Sequence, residues 1–297
     1  MRDTTLWQDF RMYVLHSGNV LNKLIAINCA AFILFGAFYV VLLIFGISPA
    51  IHDQVDTLFQ FPSSLWEFLH KPWSIVTYQF MHSGFMHILF NMIMFLFAGR
   101  IFREYLGDKK LLAVYILGGV AGALMFMLGY NTIPFLRNGH GELIGASASI
   151  MAILVAVGTL LPRYTVFLII IGPVRLVYIV LVLVVLDFLS IGFTNTGGSL
   201  AHLGGSLFGY VYIITLQKGT DIGAWLNQLL EGIQNIFKRK SVKLHSYNDA
   251  PRRNAPVRPG RISQDEVDKI LDKIASSGYD SLSQHEKEIL FRASKED

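Results

Sequence analysis

Charged side chains are scarce in this sequence. They make up 15% of its 297 residues, whereas hydrophobic residues make up 53%. A soluble domain carries about 25% charged residues, so the composition excludes an ordinary soluble globule. Intrinsic disorder is excluded for most of the chain, because a disordered segment has low hydrophobicity. The class that remains is a protein with several membrane-spanning segments.

Cysteine is almost absent as well. The single cysteine, Cys29, lies in an apolar run, where a thiol behaves as a small core hydrophobe. One cysteine cannot form a disulfide within the chain, so a small disulfide-stabilised scaffold is excluded.

Long apolar runs predict six membrane-spanning helices. A span needs about 20 predominantly apolar residues. The predicted spans cover residues 24–45, 75–98, 111–130, 143–161, 176–191 and 199–215. The apolar run 164–172 is too short to span alone and is followed by Pro173, so we interpret it as an interfacial or re-entrant piece. The predicted fold class is therefore all-α, a polytopic membrane bundle of six helices.

Lysine and arginine in the short loops predict how the spans are oriented. If the N-terminus is cytoplasmic, nine Lys and Arg residues before and between the spans lie inside, and only Lys71 and Arg137 lie outside. Cytoplasmic loops carry the excess of Lys and Arg, so we expect both termini to be cytoplasmic. Residues 1–23 mix charged and polar side chains and do not resemble a cleavable signal.

The remaining composition divides the chain into five segments. They are a cytoplasmic N-terminal segment (1–23), the membrane domain (24–217), an amphipathic interfacial helix (218–240), a basic linker containing prolines (241–262) and a small cytoplasmic helical appendage (263–297). The cations that end the amphipathic helix, Lys238, Arg239 and Lys240, and those of the linker predict attraction to anionic lipid. In the appendage, Ser263 with Glu266 and Ser283 with Glu286 are candidate capping boxes.

Five of the polar residues within the predicted spans lie toward the same face of the membrane. The second span carries His82, His87 and Asn91 in its outer half. Ser147 lies near the outer end of the fourth span, and His202 near that of the sixth. Polar residues inside a membrane are costly, so each is a candidate site residue. The loop charges that predict the orientation do not include these residues, so their shared depth is an independent observation.

Ser147 and His202 fit a nucleophile and its base. Ser147 follows Gly145 in a run of small residues, and the free N–H groups at a helix N-terminus can stabilise an oxyanion. Gly205 and Gly209 share a helix face with His202 and would let the sixth span pack closely on a neighbour. If that neighbour is the fourth span, His202 can reach Ser147, as a serine nucleophile requires. Taken singly, a capping serine and a histidine bonded to a loop carbonyl are the structural alternatives.

The other polar residues allow several roles. His87 and Asn91 are four residues apart, share a helix face and can both donate hydrogen bonds to an oxyanion. Hydrogen bonding between helices and metal ligation are the alternatives, but His82 and His87 are five apart and the chain has no H-E-x-x-H motif. Asp187 in the fifth span lacks the second carboxylate that an aspartyl protease needs, so we interpret it as structural or interfacial.

Three segments together resemble the rhomboid intramembrane serine proteases in their order and spacing. They are residues 81–92, which contain His82, His87 and Asn91, then residues 145–147, then residues 201–209. The resemblance covers about residues 75–215. It implies a rhomboid-like bundle that hydrolyses a peptide bond within or beside a transmembrane helix of a substrate protein.

The resemblance also implies a role for each matched residue. Ser147 would be the nucleophile and His202 the general base and acid. His87, Asn91 and the Ser147 backbone N–H would form the oxyanion hole, with His82 as a structural histidine beside it. The implied unit is a dyad without a third carboxylate, and without a metal or organic cofactor.

Two positions depart from the family pattern, and other functions stay open. Many relatives have Gly where this chain has Ala148, whose methyl could narrow the oxyanion hole, and some have Tyr where it has Met151. The alternatives are a catalytically inactive rhomboid-like protein that binds transmembrane helices, and a transporter, for which the sequence has no internal repeat. We expect transmembrane substrates and membrane lipids as partners, no nucleic acid, and a place in a bacterial inner membrane with the site toward the outer face.

Overall fold

The computed structural model describes residues 18–48, 50–137, 139–168, 170–193, 195–237 and 264–294, together with residues 5, 8 and 11. The chain divides into two compact units between residues 239 and 240. Most of the N-terminal segment, the cations at 238–240, the basic linker and Ser263 lie outside the described residues.

Helices dominate the first unit. Its helices are α1 (Val20–Ile44), α2 (Ala50–Phe59), α3 (Leu65–His70), α4 (Ser74–Thr77), α5 (Phe85–Thr132), α6 (Ser147–Leu160), α7 (Leu176–Leu189), α8 (Thr196–Gln217) and α9 (Ala224–Phe237). Two short antiparallel sheets join β1 (Phe61–Pro62) to β2 (Glu142–Leu143), and β3 (Thr165–Leu168) to β4 (Gly172–Arg175). A 3₁₀ turn, Tyr78–Phe80, precedes the extended approach to α5.

Three of the described helices, α1, α5 and α8, are long and apolar enough to cross a membrane. The 48-residue α5 breaks at Gly107, whose φ of 81° lies in the left-handed region that glycine adopts without strain. The break leaves two apolar segments, 85–106 and 108–132. The helices α6 and α7 are also apolar but have only 14 residues each.

The second predicted span begins later than expected. Its helix starts at Phe85, and residues 75–84 form α4, the 3₁₀ turn and an extended stretch. His82 therefore lies before this helix and not within it. Hydropathy reports only how apolar a segment is, so it could not separate residues 75–84 from the helix that follows them.

The helix α6 forms the centre of the first unit. Every residue from 148 to 158 is buried, as expected for an apolar helix surrounded by other elements. Glycines on α8 let the neighbouring backbones meet it closely. A Cβ added at Gly205 would lie 2.1 Å from the carbonyl oxygen of Ala148, and one added at Gly209 would lie 2.1 Å from that of Ala152. Small residues thus place α6 and α8 in backbone contact.

The helix α7 is packed much less completely. Its buried residues are Leu176 and Val180, both in its first half. The run 164–172 before it forms most of the β3–β4 hairpin, a conformation that the prediction of an interfacial or re-entrant piece did not specify.

The second unit consists of α10 (Gln264–Ser277), a 3₁₀ turn (Tyr279–Ser281) and α11 (Gln284–Ala293). The capping box of Ser283 and Glu286 at the start of α11 is confirmed. The Lys273 ammonium also donates to the Glu286 carboxylate at 2.9 Å. The bond from Lys273, followed by those from Ser283, lowers the pKa of Glu286 to about 2.

Candidate active site

Ser147 is the first residue of α6, and its hydroxyl meets a histidine from α8. The distance from Ser147 Oγ to His202 Nε2 is 2.7 Å. The close approach of Gly205 to α6, three residues after His202, brings the imidazole within this distance. The structure thus brings together the two residues that the sequence suggests as nucleophile and base.

The chain turns sharply just before Ser147. Gly145 has a φ of 114°, and its N–H donates to the carbonyl oxygen of Tyr78 at 2.9 Å. A Cβ at this position would lie 2.8 Å from Nε2 of His87. Glycine therefore allows both the backbone conformation and the approach of the His87 ring to Ser147.

His87 lies in the first turn of α5 and is oriented by Ser83. The backbone N–H of Ser83 donates to His87 Nδ1 at 3.4 Å, and its Oγ lies 3.0 Å from the same nitrogen. Because the N–H can only donate, Nδ1 is an acceptor here, and a neutral ring carries its proton on Nε2. Nε2 is the atom beside Gly145, so His87 presents an N–H donor near Ser147. Ser83 was not among the predicted site residues, although it lies within the recognised motif.

Asn91 and His82 occupy different positions around His87. Asn91 is buried one turn further along α5, and its amide donates to the His87 carbonyl oxygen at 3.0 Å. The ring of His82 packs edge-on against that of His87, with centroids 5.1 Å apart. Both ring nitrogens of His82 are buried. His82 thus contacts His87 through ring packing.

Two cavities meet at Ser147. One, of about 540 Å³, is lined mostly by apolar side chains of α5, α6 and α7 and also contains Asn91 and His202. The other, of about 680 Å³, reaches Ser147 and His87 from the side of Glu142 and Asn195. Within the described part of the chain, no group of three His, Cys, Asp or Glu residues could hold a metal ion.

Asp187, near the end of α7, contacts the other nitrogen of the same histidine. Its Oδ1 lies 2.8 Å from His202 Nδ1. From the sequence we interpret Asp187 as structural or interfacial and expect no third carboxylate, and the sequence does not predict this contact. Asp187 and His202 are 15 residues apart on different helices, so no helical spacing relates them. The predicted orientation could have indicated this contact, because it places the end of the fifth span at the same face of the membrane as His202.

The methyl group of Ala148 lies in a helix interface. A Cβ on Gly122 of α5 would be 2.6 Å from the Cβ of Ala148, so the methyl packs against α5. Ala148 lines neither cavity, whereas Met151 lines the apolar one beside Ser147. The substitution of Ala for Gly thus fills space between helices.

The fold and the site define a helical membrane protein in which a serine–histidine pair lies at one end of the helices. The rhomboid domain family matches residues 69–219, which is half of the sequence. The chain belongs to the rhomboid family. Residues 261–296 match a second family, described only as one of unknown function.

Several relatives carry rhomboid names. RHOMBOID-like protein 1 of Arabidopsis thaliana is 26% identical over 155 residues, which is 50% of this chain and 37% of that protein. Rhomboid-like protease 3 of Toxoplasma gondii is 26% identical over 164 residues, 54% of this chain and 58% of that protein. Inactive RHOMBOID-like protein 8 of Arabidopsis thaliana is 29% identical over 110 residues, 35% of this chain and 31% of that protein. The chain thus spans between 31% and 58% of the length of these three relatives.

Proposed function

We propose that this protein is an intramembrane serine endopeptidase that cleaves transmembrane protein substrates. The observation that carries the proposal is the 2.7 Å contact between Ser147 Oγ and His202 Nε2 within a bundle of apolar helices. Membership of the rhomboid family supports it, and the Toxoplasma relative is named a protease.

The proposed reaction is acyl transfer to Ser147. The hydroxyl gives its proton to His202 Nε2 as Oγ attacks the carbonyl carbon of the scissile peptide bond. His202 then protonates the leaving amine, and water hydrolyses the acyl-enzyme with the same histidine as base. The negative oxygen formed on attack would accept hydrogen bonds from the Ser147 backbone N–H, His87 Nε2–H and the Asn91 amide. Loss of one such donor costs about 3 kcal/mol of transition-state stabilisation.

The two cavities suit the two reactants. The apolar cavity beside Met151 offers a surface for an unwound stretch of a transmembrane segment. The cavity bordered by Glu142 and Asn195 offers polar groups for the water that hydrolysis consumes. We propose that Ser147 receives its substrate from the first and its water from the second.

The proposed setting is a bacterial inner membrane, with six spans, both termini in the cytoplasm and the site toward the outer face. The excess of Lys and Arg in one set of loops supports this orientation. The basic residues after α9 would hold the tail near anionic lipid.

The alternative is a rhomboid-like protein that binds transmembrane helices without cleaving them. One relative, 29% identical over 110 residues, is named as inactive. The presence of both Ser147 and His202 in hydrogen-bond contact favours the enzyme.

Purified protein in liposomes tests the proposal by two measurements, labelling with a fluorophosphonate probe and cleavage of a panel of transmembrane substrates. Ser147→Ala and His202→Ala should each lose both signals by several orders of magnitude. Ser206→Ala is the matched control, because this serine lies on α8 and its buried Oγ has no hydrogen-bond partner among the described residues. It should label and cleave as the wild type does.

Two results would contradict the proposal. Cleavage at the wild-type rate by Ser147→Ala would show that another group is the nucleophile. Folded wild-type protein that neither labels nor cleaves would favour the binding protein.

A further inference from the structure

Asp187 completes a line of hydrogen bonds through His202. The imidazole lies 2.7 Å from Ser147 Oγ through Nε2 and 2.8 Å from Asp187 Oδ1 through Nδ1. The side chains of His202 and Asp187 are only 21% and 18% exposed. Both ring nitrogens are therefore engaged, one on each side, in a largely shielded place.

Asp187 is an acidic residue on an apolar helix, α7. An ionisable residue in an apolar helix is costly unless it has a partner or a function. Asp187 lies within hydrogen-bond distance of His202 and forms no salt bridge with a lysine or arginine among the described residues. Its surroundings on α7 are apolar, including Leu183 and Leu186. The contact with His202 is thus the interaction that accounts for this carboxylate.

A carboxylate at Nδ1 has two effects on a histidine base. A carboxylate can only accept, so it holds the ring proton on Nδ1 and leaves the lone pair of Nε2 free for the proton of Ser147. When Nε2 takes up that proton, the ring becomes a cation, which the adjacent negative charge stabilises. Both effects act through His202.

We infer that Asp187 is a positioning residue for His202, and that the site works as a Ser147–His202–Asp187 unit rather than as a serine–histidine dyad. This inference rests on the proposed function. It adds Asp187, which lies outside the two sequence motifs that contain Ser147 and His202.

Asp187→Asn tests the inference, since it keeps the shape and removes the charge. The new amide can donate to Nδ1, which would move the ring proton to Nε2 and leave no acceptor for Ser147. In serine proteases with a buried triad, this change lowers kcat by about 10⁴-fold. Because Asp187 is partly exposed, we expect kcat and the labelling rate to fall by about 10- to 100-fold, with KM within about 2-fold.

A spectroscopic measurement, with a control variant, separates positioning from a structural role. The histidine ¹⁵N spectrum reports the tautomer of His202, whose signal is identified by its loss in His202→Asn. We expect the Nδ1–H form in the wild type and the Nε2–H form in Asp187→Asn. Asp53→Asn, the same change at an exposed residue of α2, is the control and should change neither kcat nor the spectrum.

The outcomes distinguish this inference from the function on which it rests. If Asp187→Asn keeps the wild-type kcat and tautomer while Ser147→Ala is inactive, the positioning role is overturned and the protease remains. If Ser147→Ala is active, the proposed function itself fails. If Asp187→Asn does not fold, Asp187→Glu and Asp187→Ala decide. A positioning role requires a higher kcat with Glu than with Ala, and equal values overturn it.

Discussion

The contact between α6 and α8 allows a quantitative prediction for Gly205→Ala. The added Cβ would lie 2.1 Å from the carbonyl oxygen of Ala148, whereas ordinary contact begins at 3.4 Å. The obstacle is backbone, which cannot rotate away as a flexible side chain could. The helix α8 must therefore withdraw from α6 by about 1.3 Å at this level, because its rigid backbone transmits the overlap.

The withdrawal should affect both stability and catalysis. Overpacking of this kind lowers the free energy of unfolding by about 1–3 kcal/mol. His202 is less than one turn from Gly205, so its Nε2 should move from 2.7 Å toward about 4 Å from Ser147 Oγ, beyond hydrogen-bond range. A misplacement of about 1 Å can cost about 10²-fold in rate. We expect the fluorophosphonate labelling rate to fall by that factor.

Gly209→Ala separates the two effects. Its Cβ would meet the carbonyl oxygen of Ala152 at the same 2.1 Å, but it lies two turns from His202. It should lower the unfolding temperature as much as Gly205→Ala does, with a smaller loss of labelling. The control is Gly36→Ala in α1, where nothing lies within 4 Å of the new Cβ. It should lower neither the unfolding temperature nor the labelling rate.

Labelling rates and thermal unfolding of all three variants in the same detergent provide the assay. If Gly205→Ala labels at the wild-type rate and unfolds at the wild-type temperature, the reasoning is refuted. The added methyl group would then have room between α6 and α8.

Three further predictions concern other positions. Gly145→Ala should lower the labelling rate by at least about 10-fold, since it strains a positive φ and crowds His87; wild-type labelling would contradict this. Ala148→Gly should leave kcat unchanged and lower the unfolding temperature, because the methyl fills a helix interface; a rise in kcat would show that it narrows the oxyanion hole. In the second unit, the depressed pKa of Glu286 stabilises the fold fully above pH 4.5, and this contribution is lost as the pH falls toward about 2. Hydrogen exchange of α11 in the full chain should show this loss. Lys273→Gln should make the pH dependence of this exchange weaker.

The class of protein and the identity of the serine and histidine were accessible from the sequence because both depend on local patterns. Apolar runs of a given length predict membrane helices wherever they occur. Small residues at four-residue spacing predict a helix face that can be approached closely, and Gly205 and Gly209 lie on such a face against α6. Membership of the rhomboid family rests on the match of residues 69–219, which include Gly205 and Gly209.

Relations between separate helices were decided by tertiary structure. A sequence does not state the rotation of one helix relative to another, so Asp187 could not be assigned to His202, which it meets at 2.8 Å. For the same reason the direction of the Ala148 methyl was open, and only packing shows that it faces α5. Composition reports that a segment is apolar but not where a helix begins in it, which is why His82 was expected within a helix that begins only at Phe85.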